Sequence, residues 1–81
     1  MNNVDLNDNK IQIYKTSDLL YVKTNDDKKK TINIYNVAGQ KVLSTTFFET
    51  TSMPIEALTK GIYIVSVENS VVLKSIKIWI E

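Results

Sequence analysis

No cysteine, histidine or arginine occurs in the 81 residues, and there are only two glycines, one proline and one tryptophan. Without cysteine, neither a disulfide nor a thiolate metal site can staple the fold, so packing of Ile, Val, Leu and Tyr side chains must hold it. Without histidine as well, the commonest general base, the commonest nucleophile and the commonest transition-metal ligands are missing together. The ten cations are all lysine and nine acids offset them, which leaves a net charge of +1 and no electrostatic footprint for nucleic acid. No apolar run approaches the ~20 residues a membrane-spanning helix needs, and the start, MNNVDLNDNK, lacks the apolar core of a signal peptide. A chain this short is one domain that buries roughly 60 to 65% of its unfolded surface, so its stability margin should be thin.

What is present is strand pattern. The clearest stretch is Thr31 to Leu43, where Ile32 and Ile34 alternate with Asn33 and Tyr35 as a half-buried strand requires. Asn36-Val37-Ala38-Gly39 then supplies a turn, with Asn36 able to bond its own backbone and Gly39 able to take the positive φ of a type I turn closing in a G1 bulge. Gln40 to Leu43 runs back, and Ser44 to Phe48 extends it, with Phe47 and Phe48 on opposite faces. Glu49-Thr50-Thr51-Ser52 is expected to break the strand.

The remaining segments follow the same logic. Met1 to Asn9 is polar and is expected to be a linker or a frayed first strand; Asp5, Asn7 and Asn9 match the opening positions of a calcium loop, but Lys10 and Thr16 occupy places where that loop needs Gly and Glu. Lys10 to Lys15 reads as a first strand with Ile11 and Ile13 on one face, Thr16-Ser17-Asp18 as a turn, and Leu19 to Lys23 as a second strand. Asn25-Asp26-Asp27 and Lys28-Lys29-Lys30 read as a solvated hairpin end in preference to a basic patch. Pro54 removes a donor, so Ile55 to Leu58 is expected to be a short strand end entering a tight turn that Gly61 closes. Ile62 to Glu68 is expected to be a central strand, with Tyr63, Val65 and Val67 on one face and Ile62 and Ile64 on the other. After an Asn69-Ser70 turn, Val71 to Ile80 forms the last strand, with Val72, Ile76, Ile78 and Ile80 inward, Ser75, Lys77 and Trp79 outward, and Lys74 at an edge or bulge. Strands about ten residues apart, with no helical period, predict an all-β fold: a small antiparallel immunoglobulin-like β-sandwich of about seven strands.

Nothing in this pattern assembles a catalytic site. Asp18, Glu56 and Glu68 are carboxylates without a spacing that singles them out, and the hydroxyls have no identifiable base. The chain is therefore expected to be no enzyme, and no cofactor or metal site is expected. Tyr14, Tyr21 and Trp79 are candidates for an aromatic platform for sugar rings or another protein, although single outward aromatics are ordinary on sheets.

Three ordered blocks resemble a known family, the type A C-terminal sorting domain of proteins exported by the type IX secretion system of Bacteroidota. INIYNVAGQKVL is similar to its strand, turn and return strand, with Asn36 and Gly39 in the signature places. IEALTKGIYIVSVE, from Ile55 to Glu68, resembles its second signature, in which Leu58 precedes a Lys60-Gly61 turn and a Tyr63-x-Val65-x-Val67 strand. LKSIKIWIE resembles its terminal strand, carried by Lys74, Ile76, Lys77 and Ile78. The family usually opens with Tyr-Pro-Asn-Pro, whereas here the segment from Tyr14 to Leu20 keeps the tyrosine and has neither proline.

The resemblance implies an address label at residues 10–81, without catalysis, at the end of an N-terminally fused cargo protein. It implies folding in the periplasm, recognition by the outer-membrane translocon, and delivery to the cell surface or medium. A sortase would cut at or before Met1 to Asn9 and join the cargo to surface lipopolysaccharide. Lys74, Ile76, Lys77 and Ile78 are the expected recognition strand, since an edge of alternating Ile and Lys suits strand addition. Met1 is then expected to be a start placed on a fragment of a longer protein. The alternatives are an extracellular adhesive or carbohydrate-binding sandwich and a structural spacer.

Overall fold

The computed structural model describes residues 11–81, and the linker and calcium-loop positions at 1–9 lie outside it. Seven strands follow in order: β1 (Gln12–Lys15), β2 (Leu19–Lys23), β3 (Lys30–Tyr35), β4 (Lys41–Phe47), β5 (Thr51–Pro54), β6 (Gly61–Glu68) and β7 (Val72–Ile80). They form two antiparallel sheets, β1-β2-β5 and β4-β3-β6-β7. First, second and fifth strands against third, sixth and seventh is the immunoglobulin-like arrangement, here with the fourth strand added beside the third.

The two-residue period decides which side chains meet between the sheets. Ile11, Leu20, Val22, Met53 and Ile55 from the smaller sheet and its flanks pack with Ile32, Ile34, Phe47, Tyr63, Val65, Val67, Ile78 and Ile80 from the larger. β3 and β6 are the inner strands of the larger sheet, which is why Ile32, Ile34, Val65 and Val67 have no exposed surface. Phe47 is buried and Phe48 is 54% exposed, one aromatic to each face as its position in the strand requires.

Three expectations need correction. Thr51 and Ser52 do not break the chain but form β5 with Met53 and Pro54, paired to β2 from Val22↔Thr51 to Leu19↔Pro54. Being an edge strand ending at Pro54, it tolerates the missing donor, and the ladder resumes one residue on, where the Ile55 N–H donates to the Asp18 carbonyl at 2.9 Å. The lysine run is not a hairpin end, because the chain between β2 and β3 crosses from one sheet to the other. Lys28 and Lys29 are exposed there, but Lys30 opens β3 on the inward parity and is 2% exposed. Finally, Val72 is 60% exposed instead of inward. The register slips between Val67↔Lys74 and Glu68↔Val72, so Leu73 is the extra residue of a bulge and packs against the core in its place.

Candidate functional site

The first signature block folds as one hydrogen-bonded unit. Gly39 N–H donates to the Asn36 carbonyl at 3.0 Å and Asn36 N–H to the Gln40 carbonyl at 2.9 Å, which is the type I turn with a following left-handed residue, Gly39 at φ +84°. The Asn36 side chain braces it: Oδ1 accepts from the Ala38 and Gln40 N–H groups at 2.9 and 3.0 Å, and Nδ2 donates to Gln40 Oε1 at 3.0 Å. Asn36 is thus needed for two acceptor bonds that few side chains can reach. Beyond the turn, Val42 is an extra residue in β4, since Tyr35 pairs with Lys41 and Ile34 with Leu43.

The second block forms the corner leading into β6. Leu58 N–H donates to the Ile55 carbonyl at 3.0 Å, Leu58 packs against the core, and Gly61 takes φ +151°. Tyr63 is buried, and its hydroxyl donates back to the Thr59 carbonyl at 2.7 Å. This is the tyrosine corner of immunoglobulin-like sandwiches, in which a tyrosine at the start of the sixth strand fastens the preceding loop. Leu58, Gly61 and Tyr63 are therefore brought together in one corner, and Val65 and Val67 continue from it into the core.

The third block is β7, which pairs only with β6 and so has one edge unpaired among the described residues. Ile78 is buried, Ile76 is half-buried against the core, and Lys74 lies half-buried opposite Val67. Of the four expected recognition residues only Lys77 points freely outward, between Ser75 and Trp79 on the solvent face.

The described residues offer little to chemistry. No group of three or more His, Cys, Asp or Glu among them is placed to hold a metal ion, and none forms a helix able to cross a membrane. Asp18 and Glu56 sit near one end of the sandwich, while the Glu68 carboxylate accepts from Asn33 Nδ2 at 3.3 Å and Ser66 Oγ at 3.0 Å. The one ion pair among them joins Lys30 to Asp26. Lys30 Nζ also donates to the Lys28 and Phe48 carbonyls at 2.6 and 3.1 Å, so all three of its protons have acceptors and the buried cation ties the inter-sheet crossing to β4. That hydrogen bond from Lys30, followed by one from the Lys28 N–H, holds the Asp26 carboxyl below the usual carboxylate range. The aromatic candidates divide: Tyr14 and Tyr21 stack at 5.1 Å on the outer face of the smaller sheet, and Trp79 lies on the outer face of the other.

With the three blocks placed, comparison with known families decides what they belong to. The family model of the secretion system C-terminal sorting domain matches residues 9–81. The chain belongs to that family. It is thereby a C-terminal sorting signal of the type IX secretion system, an all-β sandwich that marks a protein for export. No curated protein sequence is similar enough to match. Within the sorting domain, two features lay beyond the sequence reading: the Tyr63–Thr59 bond, and that the face carrying Ile62 and Ile64, set apart from Tyr63, Val65 and Val67 by the alternation, is the solvent side of the larger sheet. A strand apolar on both faces, as Ile62 to Val67 is, was the available signal for the second.

Proposed function

We propose that residues 10–81 sit at the C-terminus of a cargo protein and act without catalysis, being read by the outer-membrane translocon during passage through the periplasm. The cargo is then delivered to the cell surface or medium, and a sortase cutting at or before residues 1–9 joins it to lipopolysaccharide. The observation that carries this reading is the family match over residues 9–81. The nine-residue β7, with one edge unpaired among the described residues, supports the choice of surface, because backbone groups left free at an edge can accept a partner strand. Lys77 then supplies the outward charge, while Lys74, Ile76 and Ile78 set register and hold the strand to the core.

The test is a fusion of the chain to the C-terminus of a periplasmic reporter in a host with the type IX machinery. The reporter should reach the surface or medium. Retention of a folded fusion beside an exported positive control would refute the sorting role.

A second reading has one observation behind it. Tyr14, 50% exposed, and Tyr21 stack with their planes 11° apart, a geometry that also suits a sugar ring. A glycan array separates the two readings: tight binding abolished by Tyr14→Ser would make the domain a carbohydrate-binding module first.

A further inference from the structure

The outward face of the four-stranded sheet changes character along its strands. Toward the β6–β7 turn it is polar: Ser44, Asn33, Ser66 and Ser75 stand in one row across the four strands. Asn33 and Ser66 are buried there and satisfied, with Ser44 Oγ donating to Asn33 Oδ1 at 2.8 Å and Glu68 accepting from both Asn33 and Ser66. Toward the β3–β4 turn the face is apolar. Ile64 lies between Tyr35 and Lys77 in one row, Ile62 lies beside Trp79 in the next, and Val37 on the turn is 82% exposed. Tyr35, Val37, Ile62, Ile64 and Lys77 line an open groove of about 520 Å³. A sheet face that meets only water is normally polar, so an apolar groove at one end of a polar face is the docking candidate on this sheet.

Charge decides the occupant. Lys77 lines the groove and the exposed Lys41 stands opposite Tyr35, and among the described residues neither has a carboxylate within ion-pair distance. Glu68 lies in the polar half of this face and is already bonded to Asn33 and Ser66, and Glu81, which follows β7 on the parity of Lys77 and Trp79, forms no ion pair with either lysine. Both ammonium groups are therefore open to carboxylates from a partner. A second copy does not bring them, since a twofold contact sets groove against groove and lysine against lysine. The edge of β7 that is unpaired among the described residues runs beside the groove, so an extended segment added there would place alternate side chains next to Lys77 and Trp79.

We propose that this groove and the adjoining β7 edge are where the export machinery holds the domain, and that the occupant is an extended acidic segment alternating carboxylates with large apolar residues. The proposal rests on the sorting reading and names the surface and the partner chemistry that reading leaves open.

Trp79 is the single tryptophan, so its emission reports on the site in the intact chain. A synthetic octapeptide alternating glutamate with valine should shift Trp79 emission to the blue and move the methyl resonances of Ile62 and Ile64. Its lysine counterpart should bind about tenfold more weakly, and Lys77→Glu should reverse that preference. Ile64→Gln should weaken the glutamate peptide about tenfold, with Lys77→Glu as the arm that keeps the test open if that variant does not fold. Equal affinity for both peptides, resonance shifts confined to Tyr14 and Tyr21, binding of phosphatidylglycerol vesicles but not of the peptide, or a dimer that buries Trp79 would each overturn the proposal. Reporter fusions close the test. Loss of export for Ile64→Gln and Lys77→Glu supports the proposal, and export of both at the wild-type rate overturns it alone. Retention of the wild-type fusion overturns the sorting reading, and the proposal with it.

Discussion

Three residues adopt positive φ among those described, and they make opposite demands. Gly39 at φ +84° has no atom within 4 Å of where a Cβ would stand, so Gly39→Val would be opposed by backbone conformation and not by crowding. The expected cost is roughly 1 to 2 kcal/mol, read as a lowered midpoint in urea. Ser70 holds φ +107° without being glycine, in the turn where Asn69 N–H donates to the Val71 carbonyl at 3.0 Å. Ser70→Gly should relieve strain and raise stability by about 0.5 to 1 kcal/mol, the glycine's greater unfolded-state entropy offsetting part of the gain. A fall in the urea midpoint for Ser70→Gly would show that the turn is not strained.

Asp26 carries a pH prediction at the same scale. Its folded pKa is lowered chiefly by the bond from Lys30, so its contribution to stability is present above the unfolded carboxylate value and is lost as pH falls through the folded one. Melting temperatures measured from neutral pH downward should show wild type losing, below about pH 4, an increment that Asp26→Asn never has. Parallel curves for the two proteins would remove the Lys30–Asp26 pair as a stabilising contact.

At the scale of the element, the corner before β6 is the testable unit. Tyr63→Phe keeps the buried ring and removes only the hydroxyl, leaving the Thr59 carbonyl without its 2.7 Å donor. The loss should be about 1 to 1.5 kcal/mol, and amide exchange should speed up in the loop from Ile55 to Lys60 before it does in β3. Uniform acceleration would mean that the bond stabilises the whole sandwich and does not fasten the corner in particular. β7 divides its labour by parity. Ile78→Ala deletes buried methyl groups and should cost about 2 to 4 kcal/mol. Lys77→Glu, on the solvent face, should leave melting within about 0.5 kcal/mol of wild type.

For the whole molecule, those two variants differ in meaning. A domain of this size is expected to have only about 4 to 12 kcal/mol of stability, so Ile78→Ala removes a large share and lost export would follow from lost folding. Lys77→Glu spares the fold, and a fall in export with unchanged melting assigns the strand to recognition. If melting shifts strongly while export persists, β7 serves the fold and recognition lies elsewhere on the surface. The sandwich suits such a division because its core closes between the sheets, leaving Lys77 and Trp79 of β7 and, among the described residues, the second edge of that strand outside the packing between them.

Local chemistry alone determined the strands β1, β2, β3, β4 and β6, the Asn36–Gly39 turn and the inward parity of Ile32, Ile34, Val65 and Val67, because a period of two and a turn's φ requirement are properties of neighbouring residues. The three blocks carrying the family resemblance were legible for the same reason. What lay beyond the sequence depended on partners distant along the chain. Thr51 and Ser52 became a strand only because β2 offered an edge, as a four-residue segment has little propensity of its own to set against a ladder of backbone bonds. Lys30 became a buried cation only because the Phe48 carbonyl, eighteen residues on, was brought to its ammonium beside Asp26. Leu73 replaced Val72 in the core because a bulge opposite the end of β6 offsets Val72 by one residue from the register that Lys74 to Ile80 keep. The groove, likewise, exists only where β3, β6 and β7 lie side by side, since Tyr35, Ile64 and Lys77 are neighbours in the sheet and strangers in the chain.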